Sequence, residues 1–310
     1  MLDVIRLGNI IKDALNGEIS AQHKDKHNAF RLFHGRGKKY PEYSHLNVDY
    51  YAGFVQVISY QALTDAEVDQ LKQLFSEFDG LSIVGGVIQV RAGKQVDHFP
   101  FGEALPESLT AYEHGLAYRI KLGNNQNSGL FLDMAPLRDW LIQNAGGLRV
   151  LNLFSYTGAL SVAALQGGAE YVANVDMSKG VLRTATENHR LNQLPMDKVR
   201  FLGHDIFRSW GKIKKFGPYD LIIVDPPSYQ KGSFDVYRDY RKLLRKMPEL
   251  CTLDGGVLAC LNSPKLSRAF IAELAQEEMS EFMHTGNFLS ANHPWESDPE
   301  AGLKIMYYQR

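Results

Sequence analysis

The stretch RVLNLFSYTGALSVAALQ, residues 149–166, decides the fold. Residues 150–154 are typical of a short buried strand, and residues 159–166 are typical of a helix. Gly158 stands between them, where the helix should open, and its lack of a side chain lets the backbone pass close to a ligand. The stretch therefore predicts a strand, a tight turn and a helix within an open α/β sheet.

The same alternation of strand and helix continues downstream of this stretch. Strand-like segments occupy residues 171–175, 199–202, 221–224 and 257–261, and helical segments occupy residues 179–191, 207–214, 234–250 and 267–279. Residues 304–308 supply a last strand at the antiparallel end of the sheet. Regular alternation implies a parallel sheet covered by helices on both faces. We therefore predict an α/β fold with a Rossmann-like, doubly wound, mostly parallel seven-stranded sheet.

The upstream part of the chain has a different pattern. Strand-type runs lie at residues 30–34, 48–60, 81–91 and 112–122, with an amphipathic helix at residues 64–78. The pair Gly85-Gly86 predicts a hairpin turn, and residues 95–106 read as a linker. We expect a smaller α+β N-terminal domain at residues 1–110 and a second domain at residues 111–310.

Composition narrows the class of protein. The chain has 310 residues, 45% of them hydrophobic and 22% charged, which is typical of a soluble globular protein. It has no run of about 18 apolar residues, and its start lacks a signal-peptide core. The two cysteines, Cys251 and Cys260, have no metal-ligand spacing and form no disulfide framework. We expect a cytoplasmic protein with no membrane span and no metal site.

The charge balance bears on possible partners. A net charge of −1 gives no global field that would attract nucleic acid. Any contact with RNA would therefore depend on local basic patches at residues 23–39, 198–215 and 231–246, each of which can equally be a solvated face.

Acidic residues follow successive strands of the predicted sheet. The turn before Gly158 has neither G-x-G-x-x-G nor a P-loop, so the site should hold a nucleoside without phosphates. Asp176, after the second strand, can accept both ribose hydroxyls, and Asp205, after the third, can accept an adenine amino group. Either aspartate alone can be a helix N-cap, but the ordered set with Gly158 and Asp225 is a stronger signal.

The fourth strand runs into Asp225-Pro226-Pro227-Ser228-Tyr229. Two prolines fix φ and lack N–H groups, so the loop is stiff and presents carbonyl and carboxylate acceptors. Such a loop can hold a planar base amine or ring nitrogen, and Tyr229 can stack on a base lifted from its strand. The alternative is an ordinary loop terminator. We predict that Asp225, Pro226, Pro227 and Tyr229 are the catalytic residues.

Together these motifs resemble the bacterial large-subunit (23S) ribosomal RNA methyltransferases of the 5-methylcytosine and 7-methylguanine family. The resemblance rests on NLFSYTG at residues 152–158, VDMS at 175–178, DPPSY at 225–229 and GLFLD at 129–133, and it covers Tyr112 to the C-terminus. It implies a class I methyltransferase (EC 2.1.1.-) with S-adenosylmethionine as its cofactor. Such an enzyme would bind ribosomal RNA and act in rRNA processing. The resemblance leaves the oligomeric state open.

The resemblance also implies roles for individual residues. Asp176 would contact the ribose and Asp205 the adenine, while Asp133 and Arg138 would close the pocket, although Asp133 can equally be a helix N-cap. The full cofactor-binding set implied in this way is Asp133, Arg138, Asn152, Phe154, Ser155, Gly158, Asp176, Met177, Asp205, Ile206 and Asp225.

The two branches of this family differ in target atom. Methylation at carbon 5 needs a cysteine nucleophile after the fifth strand, where this chain has Ser263. Cys260 lies three residues early, and we interpret it as a buried strand residue. Asn262 and Lys265 resemble the Asn-Asn-Lys of the 7-methylguanine branch, interrupted by Ser263-Pro264. We therefore expect methylation of a ring or exocyclic nitrogen, with guanine favoured.

Other functions stay open at this point. Residues 1–106 do not match the RNA-binding domain that usually precedes this catalytic domain. The near-neutral charge leaves room for a methyltransferase that acts on a small molecule or a protein. A cofactor-binding assembly protein without catalytic activity is the alternative from another class. A nicotinamide dehydrogenase is disfavoured by the single glycine.

Overall fold

The computed structural model describes residues 2–17, 19, 25–93, 95–123, 127–230 and 234–310, without the side chain of Tyr229. Parts of the basic patches predicted at residues 23–39 and 231–246 lie outside these described residues. The chain divides into two compact units. Unit 1 comprises Met1–Asp133 and Ala291–Asp298, and unit 2 comprises Met134–Ser290 and Pro299–Arg310. The contacts thus divide the chain at Asp133, whereas the sequence predicts a boundary at residue 110.

Unit 1 is an α+β unit. Its helices and strands are α1 (Val4–Asn16), β1 (Ala29–His34), β2 (Leu46–Tyr51), β3 (Phe54–Ser59), α2 (Asp65–Ser76), β4 (Gly85–Val90), β5 (Asp97–Gly102), β6 (Leu109–Glu113) and β7 (Leu116–Ile120). The first five strands form one sheet in the order β1-β2-β3-β4-β5, in which only the β3–β4 pair is parallel. Strands β6 and β7 form a separate hairpin. Apolar side chains of α1 and α2 pack with those of the sheet in one core.

Helix α2 begins where the sequence predicts. The Thr64 hydroxyl accepts a hydrogen bond from the Glu67 N–H at 3.3 Å, and the Glu67 carboxylate accepts one from the Thr64 N–H at 3.0 Å. This reciprocal capping satisfies two N–H groups that a helix start leaves without partners.

Two sequence expectations for unit 1 are wrong. Gly85 and Gly86 do not form a hairpin turn but begin β4, which lies between β3 and β5. A Cβ atom on Gly86 would overlap the carbonyl oxygen of Val55, so close backbone packing requires the glycine. Residues 95–106 are not a linker, because β5 pairs with β4 along its length. Cross-strand pairing, rather than local turn propensity, decides both segments.

Unit 2 holds the second sheet. Its elements are α3 (Ala135–Asn144), β8 (Arg149–Leu153), α4 (Ala159–Gln166), β9 (Tyr171–Asp176), α5 (Lys179–Leu191), β10 (Val199–Gly203), α6 (Trp210–Lys214), β11 (Tyr219–Val224), β12 (Tyr229–Gln230), β13 (Phe234–Asp235), α7 (Val236–Leu244), α8 (Met247–Leu250), β14 (Cys251–Asn262), α9 (Arg268–Glu278), β15 (Met283–Phe288) and β16 (Leu303–Gln309). Strands β12 and β13 pair as a short hairpin.

The seven-stranded sheet confirms the predicted α/β fold. Its order is β10-β9-β8-β11-β14-β16-β15, with the first five strands parallel and β16 and β15 antiparallel. Parallel strands end at the same edge, so the turns after β8, β9, β10 and β11 all lie along that edge. Among the described residues, no helix is long and apolar enough to cross a membrane.

One predicted helix of unit 2 is divided. The sequence predicts a continuous helix over residues 234–250, but α7 ends at Leu244 and α8 begins at Met247. Pro248 has no N–H and its ring would clash with the preceding turn, so a helix cannot run through it. Proline is tolerated at the start of the new helix, where the N–H has no partner in any case.

The packing role of Gly86 can be tested by measuring the free energy of unfolding of a Gly86 variant. Gly86→Ala should lower the free energy of unfolding of unit 1 by about 1–3 kcal/mol, because the new methyl group overlaps the Val55 carbonyl. Urea unfolding followed by circular dichroism measures this. Gly93→Ala is the matched control, since the nearest atom to a Cβ there among the described residues is the Gln95 carbonyl oxygen at 3.8 Å. Equal stability of the two variants would contradict the packing explanation.

Candidate functional site

The turn after β8 has an unusual backbone. Phe154, Tyr156 and Gly158 adopt positive φ angles of 58°, 48° and 71°. For a residue with a side chain, this left-handed conformation costs about 1–2 kcal/mol. Such strain persists only where the surrounding structure holds it, and it concentrates at functional sites. The turn that the sequence singles out is therefore also a strained segment of the backbone.

Hydrogen bonds from neighbouring elements hold this turn. The Ser155 N–H donates to the Val175 carbonyl at 3.1 Å, and the Tyr156 N–H donates to Asp176 Oδ2 at 3.0 Å. From α5, Asn188 Nδ2 donates to the Thr157 carbonyl at 3.0 Å. The end of β9 and the helix after it thus fix the path of the turn.

Gly158 has two structural reasons to be glycine. Its φ of 71° lies in the left-handed region, and it is the N-cap of α4. A Cβ atom here would lie 3.0 Å from the Ala185 Cβ and 3.2 Å from the His189 Cε1. Gly158 is therefore required because its backbone lies close to helix α5. The sequence-based prediction instead attributes the glycine to the close approach of a ligand.

Asp176 joins the first and second strand ends. Its Oδ1 accepts from the Ser178 N–H at 2.8 Å, and its Oδ2 accepts from Tyr156. Burial raises the pKa of Asp176, and these two N–H donors oppose that rise. Each carboxylate oxygen keeps a lone pair that can accept a hydroxyl group. The neighbouring Met177 side chain is 51% exposed, which leaves an apolar surface beside the carboxylate.

A chain of buried polar side chains lies behind the turn. Asn152 Nδ2 donates to Asn174 Oδ1 at 3.1 Å, and Asn174 Nδ2 donates to Ser161 Oγ at 2.9 Å. Ser161 Oγ lies 2.8 Å from His189 Nε2, and His189 Nδ1 lies 2.7 Å from the Ala185 carbonyl oxygen. Of these residues, only Asn152 is predicted from the sequence. The signal for Asn174 is a polar residue in the middle of an otherwise apolar strand.

Two buried acceptors at the turn have no hydrogen-bond partner. They are Asn152 Oδ1 and Ser155 Oγ, in side chains that are 1% and 6% exposed. An unsatisfied buried polar atom costs about 1–3 kcal/mol, so it indicates a place where a ligand donor fits. The predicted cofactor turn thus has acceptors for amino or hydroxyl groups.

Asp205 caps the short 3-10 helix Ile206–Arg208, as its N-cap interpretation predicts. Its Oδ1 accepts from the Phe207 N–H at 2.9 Å, and its Oδ2 lies 3.5 Å from Arg208 Nε. Ile206 is buried at 4% exposure. The capping role orients the carboxylate at the strand edge, and contact with an adenine amino group stays a prediction.

Aromatic contacts connect three segments at this edge, and two of the contacting residues are not predicted from the sequence. The Phe154 and Phe234 rings meet edge to face at 5.5 Å, and Phe234 and Phe207 stack at 6.3 Å. Phe154 follows β8, Phe207 follows β10, and Phe234 lies on β13. No local pattern distinguishes Phe207 or Phe234 from other core aromatics.

The loop Asp225-Pro226-Pro227-Ser228 follows β11, directly beside β8 in the sheet. Ser228 Oγ donates to the Asn262 carbonyl, and Lys304 Nζ donates to the next carbonyl, that of Ser263, at 2.5 Å. Lys304 is fully buried, and sequence reasoning offers no signal for it. The Ser228 bond connects the acceptor loop to the end of β14, and the Lys304 bond connects β16 to the residue that follows β14. The Tyr229 side chain lies outside the described residues, and the catalytic roles remain predictions.

Both cysteines lie in β14 and are buried. Cys260 is fully buried, and its carbonyl oxygen accepts from the Tyr240 hydroxyl at 2.8 Å. Burial raises the pKa of the Cys251 thiol to about 12. Neither side chain presents a thiolate at the acceptor loop.

The two residues expected to close the pocket lie in different units. Asp133 is in unit 1, where its backbone carbonyl accepts from the Ala291 N–H at 3.0 Å. Arg138 lies on α3 of unit 2 and is 1% exposed. Their shared role stays a prediction.

Many cations of the two downstream basic patches are near carboxylates. On α7, Arg238 and Lys242 pair with Asp239. Arg241 and Arg245 pair with Glu278. Lys214 and Lys246 pair with Glu249, and Arg208 with Asp205. These contacts reduce the positive field that the patches project.

The upstream patch is arranged differently. Arg31 is bound by Asp49 in the interior, with its Nε 2.7 Å from Oδ1. The exposed Arg36 instead stacks on Tyr60, with its Cζ 4.6 Å from the ring centroid. Arg91 approaches the same ring at 5.9 Å. Two guanidinium groups therefore converge on one aromatic ring at the end of β3.

Known proteins resemble this chain over most of its length. A family described as S-adenosylmethionine-dependent methyltransferase matches residues 30–309. Ribosomal RNA large subunit methyltransferase K/L of Colwellia psychrerythraea is 30% identical over 282 residues, covering 86% of this chain. The chain spans only 39% of the length of that relative.

Solved structures also match. A methyltransferase complexed with SAH has a TM-score of 0.86, and a protein from Streptococcus mutans described as a SAM-dependent methyltransferase has a TM-score of 0.85. Each is 26% identical, and each match covers 100% of this chain and 82% of the other.

The lowered pKa of the buried His189 predicts how the stability of unit 2 depends on pH. Burial lowers the pKa of His189 from 6.5 to about 4. As the pH falls from about 7 towards 4, the unfolded chain takes up a proton that native His189 does not, so the free energy of unfolding of unit 2 decreases. His189→Gln should remove this part of the pH dependence in urea unfolding. An identical pH slope in both proteins would contradict the assignment, because the other histidines contribute equally to each.

Proposed function

The chain belongs to the S-adenosylmethionine-dependent methyltransferase family, and we propose that it methylates a base of large-subunit ribosomal RNA in the cytoplasm. The proposed target is a ring or exocyclic nitrogen, with guanine favoured. The name of the Colwellia relative supports ribosomal RNA as substrate. The chain spans 39% of the length of that relative, and the substrate class is therefore the part of the proposal that experiment must test first.

The turn after β8 fits S-adenosylmethionine. The cofactor carries ribose hydroxyls and amino groups, which are hydrogen-bond donors. Asp176 offers a carboxylate, while Asn152 Oδ1 and Ser155 Oγ are buried acceptors without partners. A pyrophosphate would instead need free N–H groups at the helix start, and the Gly158 N–H is already bonded to the Ser155 carbonyl at 2.8 Å. The acceptors therefore suit a nucleoside without phosphates.

Residues of the acceptor loop would orient the base. When bound, S-adenosylmethionine supplies a methyl group on a positively charged sulfur. The Asp225 carboxylate and the carbonyls beside Pro226 and Pro227 can accept hydrogen bonds from a base amine or a ring N–H. The prolines keep these acceptors in place, and Ser228 anchors the loop to the Asn262 carbonyl. Correct placement and exclusion of water are the main requirements of direct methyl transfer.

The burial of both cysteines is the observation that favours nitrogen over carbon. Methylation of a pyrimidine at carbon 5 needs covalent addition by a thiolate. Cys260 is fully buried, and burial raises the pKa of Cys251 to about 12. A ring or exocyclic nitrogen has its own lone pair and needs no such nucleophile.

The Arg36–Tyr60–Arg91 cluster is the proposed RNA contact on unit 1. Guanidinium groups beside an aromatic ring combine phosphate binding with a stacking surface for bases. Arg91 is oriented by Gln89 Oε1, which accepts from Arg91 Nε at 2.8 Å. Arg36 is exposed, and no carboxylate lies within ion-pair distance of it among the described residues. The cluster therefore offers a positive charge for RNA, whereas the positive charges of the α7 patch are largely neutralised by carboxylates.

Transfer of labelled methyl groups tests the reaction. Wild-type protein with tritiated S-adenosylmethionine should label undermethylated large-subunit ribosomal RNA, and nucleoside analysis should find the label on a nitrogen. Asp225→Ala should reduce kcat by about 100-fold or more, because the base loses an orienting acceptor. Asp197→Ala, an exposed aspartate before β10, is the matched control. Label on carbon 5, or full activity of Asp225→Ala, would contradict the proposal.

RNA binding tests the cluster on unit 1. Arg36→Gln should weaken RNA binding at low salt and reduce the slope of log affinity against log salt by about 1, because one phosphate contact is lost. Filter binding at several salt concentrations measures both quantities. Arg245→Gln removes the same charge from a residue that Glu278 already pairs, and it should leave the slope unchanged. The opposite ranking would assign RNA contact to α7 instead.

A further inference from the structure

We propose that the buried chain Asn152–Asn174–Ser161–His189 is a positioning device for the cofactor turn, in which His189 is the terminal positioning residue. The proposal rests on the proposed function only in taking S-adenosylmethionine as the ligand of the turn. None of the three residues beyond Asn152 need touch the ligand. They act through the geometry of residues 154–158.

The chain has one consistent direction of hydrogen bonding. The Ala185 carbonyl can only accept, so His189 Nδ1, at 2.7 Å, carries the proton. Neutral His189 then accepts at Nε2 from the Ser161 hydroxyl, 2.8 Å away. Because its proton is used, Ser161 Oγ accepts from Asn174 Nδ2 at 2.9 Å. Asn174 Oδ1 in turn accepts from Asn152 Nδ2 at 3.1 Å.

This direction leaves one acceptor free where the ligand is expected. Asn152 donates one of its two amide hydrogens to Asn174, and this orientation leaves its Oδ1 as a buried acceptor without a partner. A reversed chain would present an N–H donor at the same place. The proton on His189 Nδ1 therefore determines, through three side chains, that the turn offers an acceptor to the cofactor.

The same chain connects the four elements that shape the turn. Asn152 lies on β8 and Asn174 on β9, two residues before Asp176. Ser161 lies in the first turn of α4, the helix that begins directly after Gly158. His189 lies on α5, and its ring packs below Gly158, as the 3.2 Å from its Cε1 to an added Cβ indicates. Loss of one link would loosen a backbone whose left-handed residues need external support.

Two amide substitutions at His189 separate the links. In His189→Asn, the amide lies near the Nδ1 position and can still donate to Ala185, but it does not reach Ser161. In His189→Gln, the longer side chain places an acceptor near the Nε2 position. We expect His189→Asn to raise the Kd for S-adenosylhomocysteine about tenfold, and His189→Gln to stay within about threefold of wild type. Isothermal titration calorimetry at pH 7.5 measures both. Ser161→Ala should resemble His189→Asn.

Two controls exclude a general loss of stability. Arg190→Gln changes an exposed residue of the same helix and should leave the Kd unchanged. Ile271→Ala creates a cavity under α9, which is not one of the four elements that the polar chain connects, and it should lower stability without weakening binding while the protein is folded. Nitrogen-15 NMR of labelled histidine should show His189 of wild type as the neutral tautomer with hydrogen on Nδ1.

Each outcome decides a different question. If wild type does not bind S-adenosylhomocysteine, the cofactor assignment at this turn is wrong. If wild type binds and His189→Asn and Ser161→Ala bind equally well, only the positioning role is overturned. An Nε2–H tautomer would also overturn it, even if a variant fails to fold. Equal losses in His189→Asn and His189→Gln would likewise contradict the role of the Ser161 acceptor.

Discussion

The left-handed backbone of residues 154–158 is the constraint on which the rest of the site depends. Three residues of this turn have positive φ, and two of them carry side chains. The turn keeps this shape because the end of β9 accepts its N–H groups and α5 packs beneath Gly158. Asp176 supports the turn by accepting from the Tyr156 N–H, and it is also the carboxylate that we propose for the ribose. In this proposal, structural support and ligand binding belong to the same group.

Unit 2 buries a polar chain in the middle of an apolar sheet. Burial of such groups is unfavourable unless every donor and acceptor is paired. In this chain Asn174 Oδ1, Ser161 Oγ and His189 are hydrogen-bonded, whereas Asn152 Oδ1 on β8 and Ser155 Oγ in the turn after it have no partner. This distribution fits a site that is complete only with its ligand. At the neighbouring acceptor loop, Ser228 donates to the carbonyl of Asn262, the last residue of β14, and the buried Lys304 donates to the next carbonyl, that of Ser263.

Charge is distributed by local pairing rather than by net sign. The chain carries a net charge of −1, and the cations of α7 face Asp239 and Glu278. In unit 1, Arg31 is held by Asp49, whereas Arg36 stacks on Tyr60. A basic run in the sequence therefore says little about attraction for RNA until the partners of each cation are known.

The sequence by itself determined the elements whose signals are local. Strand–helix alternation predicted the seven-stranded sheet, and aspartates at strand ends predicted the edge at which we propose the cofactor binds, because hydrophobic period and strand termini are properties of short segments. The tertiary structure alone decided the rest. Gly85 and Gly86 lie in a strand rather than a turn, Phe234 meets Phe154, and His189 completes the chain behind the turn. Each of these depends on partners distant in sequence, and packing and hydrogen bonding between such partners leave no periodic pattern in the chain.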